Sequence, residues 1–168
     1  QFLENAKAEL EQITLSEDEL LRLEQEYKEA YNETLAAAQV LSERRKQAAR
    51  DLEKAVNAEL AYLSMPGAKF SVVFETRRRE GRLIFGADGI DIVSFYIAPN
   101  KGEEAKPLAK TASGGELSRI MLALQTVLST KEGPTLIFDE IDAGISGNAA
   151  ARVAERLARL SGRHQILC

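Results

Sequence analysis

From Ser16 to Met65 the chain holds neither proline nor glycine, and this constrains its fold more than any other feature. A single helix over about 48 residues would be roughly 70 Å long at the usual rise per residue, too long for an ordinary globular core. Ser16-Glu17-Asp18-Glu19 predicts the start of that helix. Ser16 and Glu19 have capping-box spacing, and the early carboxylates favour the positive end of the helix dipole. The preceding Gln1–Ile13 is weakly helical, with Phe2, Leu3, Ala6, Leu10 and Ile13 at helical spacing. Tyr31, Leu35, Ala38, Leu41, Ala48, Leu52, Val56, Leu60 and Leu63 form an apolar stripe that weakens across Ser42–Arg50. A narrow seam of this kind calls for a partner helix in a coiled coil, and no second helix of that length is present in the chain. The cluster Arg44, Arg45, Lys46 and Arg50 reads as a solvated face paired with nearby glutamates, with phosphate contact as the alternative. Ser64-Met65-Pro66-Gly67 ends the rod.

Beyond it the hydrophobic period changes. FSVVFE and IDIVSFYIA predict strands, with turn chemistry at Glu80-Gly81 and Asp88-Gly89 between them, hence an antiparallel pair or a three-stranded meander. Arg77, Arg78, Arg79 and Arg82 fall near the hairpin tip, again as solvated turn residues or as anion contacts. A polar loop then leads to Pro107. Ser113 to about Thr130 is predicted helical, with Leu117, Ile120, Met121, Leu124 and Leu128 on one side. Thr135–Phe138 reads as a short strand buried on both faces. Asn148–Leu160 is a second helix stopped by Gly162, and a further strand opens at Gln165. Strand, helix, strand at this spacing implies parallel strands. The fold class is therefore an α/β lobe, parallel strands with flanking helices plus a small antiparallel hairpin or meander, carrying a long N-terminal coiled-coil helix.

Composition sets outer limits. With 45% hydrophobic and 29% charged residues over 168 positions the chain can bury a core, and its net charge of -4 argues against coating nucleic acid over the whole surface. A lone cysteine, Cys168, excludes an internal disulfide, and no run of about 18 apolar residues suggests a membrane span, so a cytoplasmic protein is expected.

The chemistry concentrates between Thr111 and Ser146. Ser113-Gly114-Gly115-Glu116 has the form of a capping box, but two glycines in a first helical turn cost about 1 kcal/mol each relative to alanine in a helix interior. Glycine there lets a ligand approach the bare backbone, and the unpaired amides of a helix N-terminus attract phosphate. Leu136-Ile137-Phe138 then delivers Asp139 and Glu140 to the C-terminal end of a strand, where open α/β sheets bind ligands. In phosphoryl transfer such a pair divides its work. One acid holds Mg²⁺ and the next takes the proton of an attacking water. Two solvated acids after a buried strand are the plainer alternative.

Together SGGELSR, LIFDEID and AGISG, in this order and separation, resemble the signature motif, Walker B strand and D-loop of ABC-type ATPases of the SMC class. SMPGAKF, GADGID and PLAKTASGGELSR are particularly similar to a bacterial DNA-repair branch of that class, and the resemblance covers essentially the whole chain. It implies a coiled-coil arm over residues 1–65 and the C-terminal lobe of an ATPase head over 66–168. Ser113, Gly114, Gly115 and Glu116 would be the signature residues serving ATP in trans. Asp139 would be the Mg²⁺-associated acid, acting through water, and Glu140 the general base. Asp142, Ala143, Gly144, Ile145 and Ser146 would form the D-loop. The implied partners are a P-loop lobe and outgoing arm of the same protein, a second head in a homodimer, and DNA, in double-strand-break repair within a bacterial nucleoid.

Two departures from wider ABC patterns are Ala112, where leucine often stands, and Ser146, where many D-loops have Asp. No G-x-x-x-x-G-K-[ST] occurs, so this stretch alone is expected to be inactive. The switch histidine would follow the strand at Gln165; His164 precedes it and is expected at the surface. Competing readings are a coiled-coil interaction module with a non-catalytic dock, and a head lobe of another SMC-like chromosome-organising ATPase.

Overall fold

The computed structural model describes residues 2–110 and 114–168. One helix, α1 (Phe2–Tyr62), runs uninterrupted through Ser16, so the expected start there does not occur. The S-x-x-E spacing is equally compatible with a helix interior when Ser16 is exposed, as it is, and the residues before it include no breaker. The helix ends two residues after Leu60 in a Schellman closure. Met65 N–H reaches Leu60 O (2.9 Å) and Ser64 N–H reaches Ala61 O (3.3 Å), with Ser64 in the left-handed region at φ 64°.

The less exposed face of α1 differs from the expected stripe. Leu41 and Ala48 are exposed, whereas Ser42 and Ala49 are buried. A sheltered row runs through Tyr31, Leu35, Ala38, Ser42, Arg45, Ala49, Leu52, Val56 and Leu60 to Leu63 just past the helix, at steps of three and four throughout. The seam is therefore unbroken across Ser42–Arg50. Its middle is built from small and polar residues, which a search for large apolar side chains passes over.

The chain divides into two compact units, Gln1–Arg44 with Arg77–Ile90, and Arg45–Thr76 with Asp91–Cys168. In the first, a hairpin of β2 (Arg78–Arg79) and β3 (Arg82–Leu83) turns at Glu80 (φ 51°) and Gly81 (φ 80°), the positive angles of a type I′ turn. Below it Arg77 pairs with Asp88 at 2.5 and 2.9 Å, Gly86 bridges Gly89, and Phe85 meets Tyr31 edge-on at 5.4 Å. Leu20, Leu21 and Leu23 of α1 are all about half exposed or more.

In the second unit β1 (Lys69–Thr76) pairs along its length with β4 (Asp91–Ala98), Lys69 opposite Ala98 and Thr76 opposite Asp91. The third strand of this sheet is β5 (Lys106–Pro107), antiparallel to β4, in the segment expected to be loop. Strand order is β1-β4-β5, so the hairpin is an insertion between paired strands and not part of a meander. The helices α2 (Gly114–Leu128) and α3 (Asn148–Ser161) flank a second sheet, in which β6 (Leu136–Ile137) runs parallel to β7 (Ile166–Leu167). The parallel pairing is as expected. Ile137, however, is 73% exposed, so β6 buries one face and leaves the other open.

One core joins these pieces: Val56 and Leu60 of α1 and Leu63 just after it, with Phe70, Ile97, Ile120, Ala123, Phe138, Ile141, Val153 and Leu160. On α2 the buried apolar side chains are Ile120, Leu122, Ala123 and Leu124; Met121 and Leu128, expected on the same side as Ile120 and Leu124, are 38% and 53% exposed.

The last turns of α1 also cap the free edge of β1. Asn57 accepts from Phe70 N–H (2.8 Å) and donates to Phe70 O (2.9 Å), while Glu53 accepts from Val72 N–H (2.6 Å). An exposed strand edge is a template for unwanted pairing, and here helix side chains take its donors. Across α1, Tyr62 and Glu59 grip α3. Tyr62 O–H donates to Glu155, Arg156 lies 3.9 Å above the Tyr62 ring, and Arg156 Nε donates to Glu59 at 2.7 Å. The bond to Glu155 pushes the Tyr62 phenol above its usual value, with burial adding to it.

Asn57→Ala removes both bonds to Phe70 and leaves its amide unpaired beside a helix. Urea unfolding followed by circular dichroism is expected to show a loss of about 1–3 kcal/mol, against a change within about 0.5 kcal/mol for exposed Lys54→Ala.

Candidate functional site

The site is assembled from the N-terminus of α2 and the turn that follows β6. Phe138 and Ile141 are each 5% exposed, and their burial in the core brackets Asp139 and Glu140, which stay at the surface. The chain then turns back sharply. Ala143 N–H bonds to Glu140 O (2.9 Å), and Glu140 takes φ 53°, a left-handed angle costing a residue with a Cβ on the order of 1–2 kcal/mol. Gly144 and Gly147, also at positive φ, carry the turn into α3.

The glycine pair lies directly against this turn. A Cβ placed on Gly115 would stand 2.8 Å from Glu140 O and 2.9 Å from Ala143 Cβ, and one on Gly114 would collide with the Glu140 carboxylate. Glycine is therefore demanded at position 115 by packing alone, before any ligand is considered. Ser113 lies outside the described residues, as do Thr111 and Ala112, and with it the capping-box reading. Glu116 is half-buried in the first turn of α2.

Two residues of the SGGELSR run that carried no assigned role turn out to fasten α2 to the turn. Ser118 Oγ donates to Asp139 O (2.5 Å). Arg119, 7% exposed, donates from Nη1 to Ala143 O (2.9 Å) and at longer range to Ile141 O (3.4 Å). Its Nε is buried without a hydrogen-bond partner. Hydrogen bonds from a charged donor contribute about 1.5–3 kcal/mol each, while an unpaired buried cation costs several. Arg119 thus gives a positively charged floor to a loop that presents Asp139, Glu140 and Asp142 outward. A polar residue four places after a glycine in a helix looks solvent-facing by periodicity, so only the turn folding over it identifies its role.

Of the sequence-predicted residues, the fold brings Gly114, Gly115, Asp139 and Glu140 together, and it places Asp142–Ser146 in the continuation of the same turn. Ile145 packs against the core and Asp142, Ala143, Gly144 and Ser146 are exposed. Among the described residues no group of three or more potential metal ligands is present. This donor set fits Mg²⁺ held chiefly by water and phosphate oxygens with one or two carboxylates, the usual manner for that ion.

His164, expected at the surface, is buried. It is 8% exposed, with Nδ1 3.1 Å from Pro134 O and Nε2 bonded to Ser129 Oγ, and a side chain at Gly133 would strike its ring. It clamps the end of α2 to the segment entering β6. Its position between α3 and β7, flanked by polar Arg163 and Gln165, carries no periodic signal of burial.

Gly115→Ala forces Glu140 O and Ala143 aside and is expected to cost about 1–3 kcal/mol in urea unfolding. Gly114→Ala meets only the movable end of the Glu140 side chain and should stay within about 0.5 kcal/mol. Equal effects would contradict the packing account of the pair.

No family profile matches the chain. Among solved structures it is similar to the Smc head domain with an extended coiled coil from Pyrococcus furiosus, bound there to the C-terminal domain of ScpA, at TM-score 0.44 and 21% identity over 73% of this chain and 28% of that one. Sequence comparison is more informative. The chain is 42% identical over 182 residues to the DNA repair protein RecN of Mycobacterium tuberculosis, covering 99% of this chain and 31% of that protein. RecN of Halalkalibacterium halodurans is 38% identical (100% and 30%), and that of Synechocystis 41% identical (99% and 28%). The chain spans about three tenths of the length of these relatives. Identity of 38–42% over essentially the whole chain places it in the RecN family of DNA repair proteins.

Proposed function

We propose that residues 66–168 form the C-terminal lobe of an ATPase head and residues 1–65 the returning arm of its coiled coil, acting in double-strand-break repair. The observation that carries this reading is the seating of the Gly114–Gly115 helix start against the Glu140–Ala143 turn. It joins a phosphate-type helix N-terminus to a pair of strand-end carboxylates in one rigid piece.

In this mechanism the chain contributes to two nucleotide sites. Asp139 and Glu140 serve ATP on the P-loop lobe of their own head, and Ser113, Gly114, Gly115 and Glu116 close on ATP held by a second head. Glu140 takes the proton from the attacking water. Asp139 would hold Mg²⁺ through water, an ion that neutralises charge developing on the γ-phosphate. The turn Asp142–Ser146 crosses toward the second head. Because Arg119 and Ser118 bind α2 to the same turn, closure of the signature helix on one nucleotide sets the position of the base at the other.

The exposed leucines at 20, 21 and 23 suit the outgoing arm of the same protein as a coiled-coil partner. The remaining partners are the second head, in a homodimer, and DNA. Among the described residues no helix is long and apolar enough to cross a membrane, and we place the protein in the bacterial cytoplasm at the nucleoid.

The test is reconstitution with the lobe that carries the P-loop. ATP hydrolysis is expected to fall by a factor on the order of 10²–10⁴ with Glu140→Gln, and to be lost with Ser113→Arg. Mixing the two variants should restore part of the activity, because each head supplies one intact half-site. Hydrolysis indifferent to both substitutions overturns the assignment, as does magnesium-dependent hydrolysis by this chain alone.

A further inference from the structure

The β2–β3 hairpin carries four arginines within six positions, and the fold treats one of them differently from the rest. Arg77, at its base, is neutralised by the two-pronged pair with Asp88. Arg78, Arg79 and Arg82 are exposed, and among the described residues none has a carboxylate partner. Arg78 donates to Gly81 O at 3.0 Å, which holds its guanidinium back over the turn. Arg79 stands directly opposite Arg82 in the antiparallel register. Like charges in that relation destabilise a strand pair, by tenths of a kcal/mol up to about 1. They become favourable when an anion lies between them.

The hairpin is also held ready. The type I′ turn matches strand twist, Arg77–Asp88 and the Gly86–Gly89 bridge close its base, and Phe85 anchors it on Tyr31 of α1. The three cations are thus presented on a short rigid ribbon. A protein interface would need an apolar centre, and Arg78-Arg79-Glu80-Gly81-Arg82 has none. A phosphate backbone needs only fixed cations, preferably arginines. In a chain of net charge -4, this local concentration stands out.

We propose that the β2–β3 hairpin is a contact site for the DNA phosphate backbone, with Arg78, Arg79 and Arg82 as the phosphate ligands. The proposal rests on the reading above that the protein acts on DNA. It assigns no base recognition, since contacts of this kind set affinity and register but not sequence.

Fluorescence anisotropy of a labelled duplex across a salt series tests it. Each phosphate contact contributes about 0.9 to the slope of log K against log salt, so the combined Arg78→Gln/Arg79→Gln/Arg82→Gln variant should lose about 2–3 units of slope and on the order of tenfold or more in affinity at low salt. Arg79→Gln alone should lose about 1, and the exposed Arg159→Gln should change neither. Circular dichroism melts matching the parent confirm that the substitutions leave the fold intact, and the single variant carries the test if the triple does not fold. Wild-type binding that the hairpin variants retain in full overturns the hairpin site while leaving the DNA reading standing. Absence of salt-dependent binding by the wild type overturns both, and equal hairpin-dependent binding to polyglutamate overturns the assignment of the ligand as DNA.

Discussion

The second unit depends on the last three turns of α1 being shared by everything around them. Val56, Leu60 and Leu63 have no exposed surface, and they meet residues from both sheets and both shorter helices. On one flank Glu53 and Asn57 take the backbone donors of β1; on the other Glu59 and Tyr62 take the guanidinium of Arg156 on α3. Burial supplies most of the energy here, and the polar contacts supply the register, because a helix that slid along β1 would leave amides unpaired. The Schellman closure then releases the chain from α1 in the direction that lets Lys69–Thr76 return along it.

A second constraint operates at the site. A helix that starts on two glycines gives up backbone stability, and the turn at Glu140 adds strain. Both are offset by contact between them: Gly115 admits the turn, Arg119 caps its carbonyls, and Ser118 holds Asp139. The result is that Gly115 has a packing role independent of any nucleotide. The phosphate contact proposed for the helix start is compatible with this packing, since the side that faces the turn is distinct from the amides pointing along the helix axis.

Much of this was legible in advance, for identifiable reasons. A breaker-free rod, strands with β-branched alternation, turns at Glu80-Gly81 and Asp88-Gly89, and the glycine helix start and the strand-end acids each taken by itself are all local patterns. The misreadings share a cause as well. Ser42 completes the seam of α1, His164 is buried, and Met121, Leu128 and Ile137 are exposed. In each case residue type gave the wrong side, because burial depends on what lies opposite. Ile137 faces outward from a sheet with one covered side. Arg119 faces inward because a loop two dozen residues later folds over it.

Sequence by itself therefore determined most kinds of element, their order, the parallel strands and the family. Those follow from short-range backbone preference and from motifs whose spacing carries their chemistry. Tertiary structure alone decided that the Arg78–Leu83 hairpin stands apart from the first sheet, that β5 joins that sheet, and that α1 guards the edge of β1. It also decided that Gly115, Ser118, Arg119 and Glu140 form one piece. Those outcomes depend on surfaces brought together from distant parts of the chain, and no local pattern encodes the shape of a surface it has yet to meet.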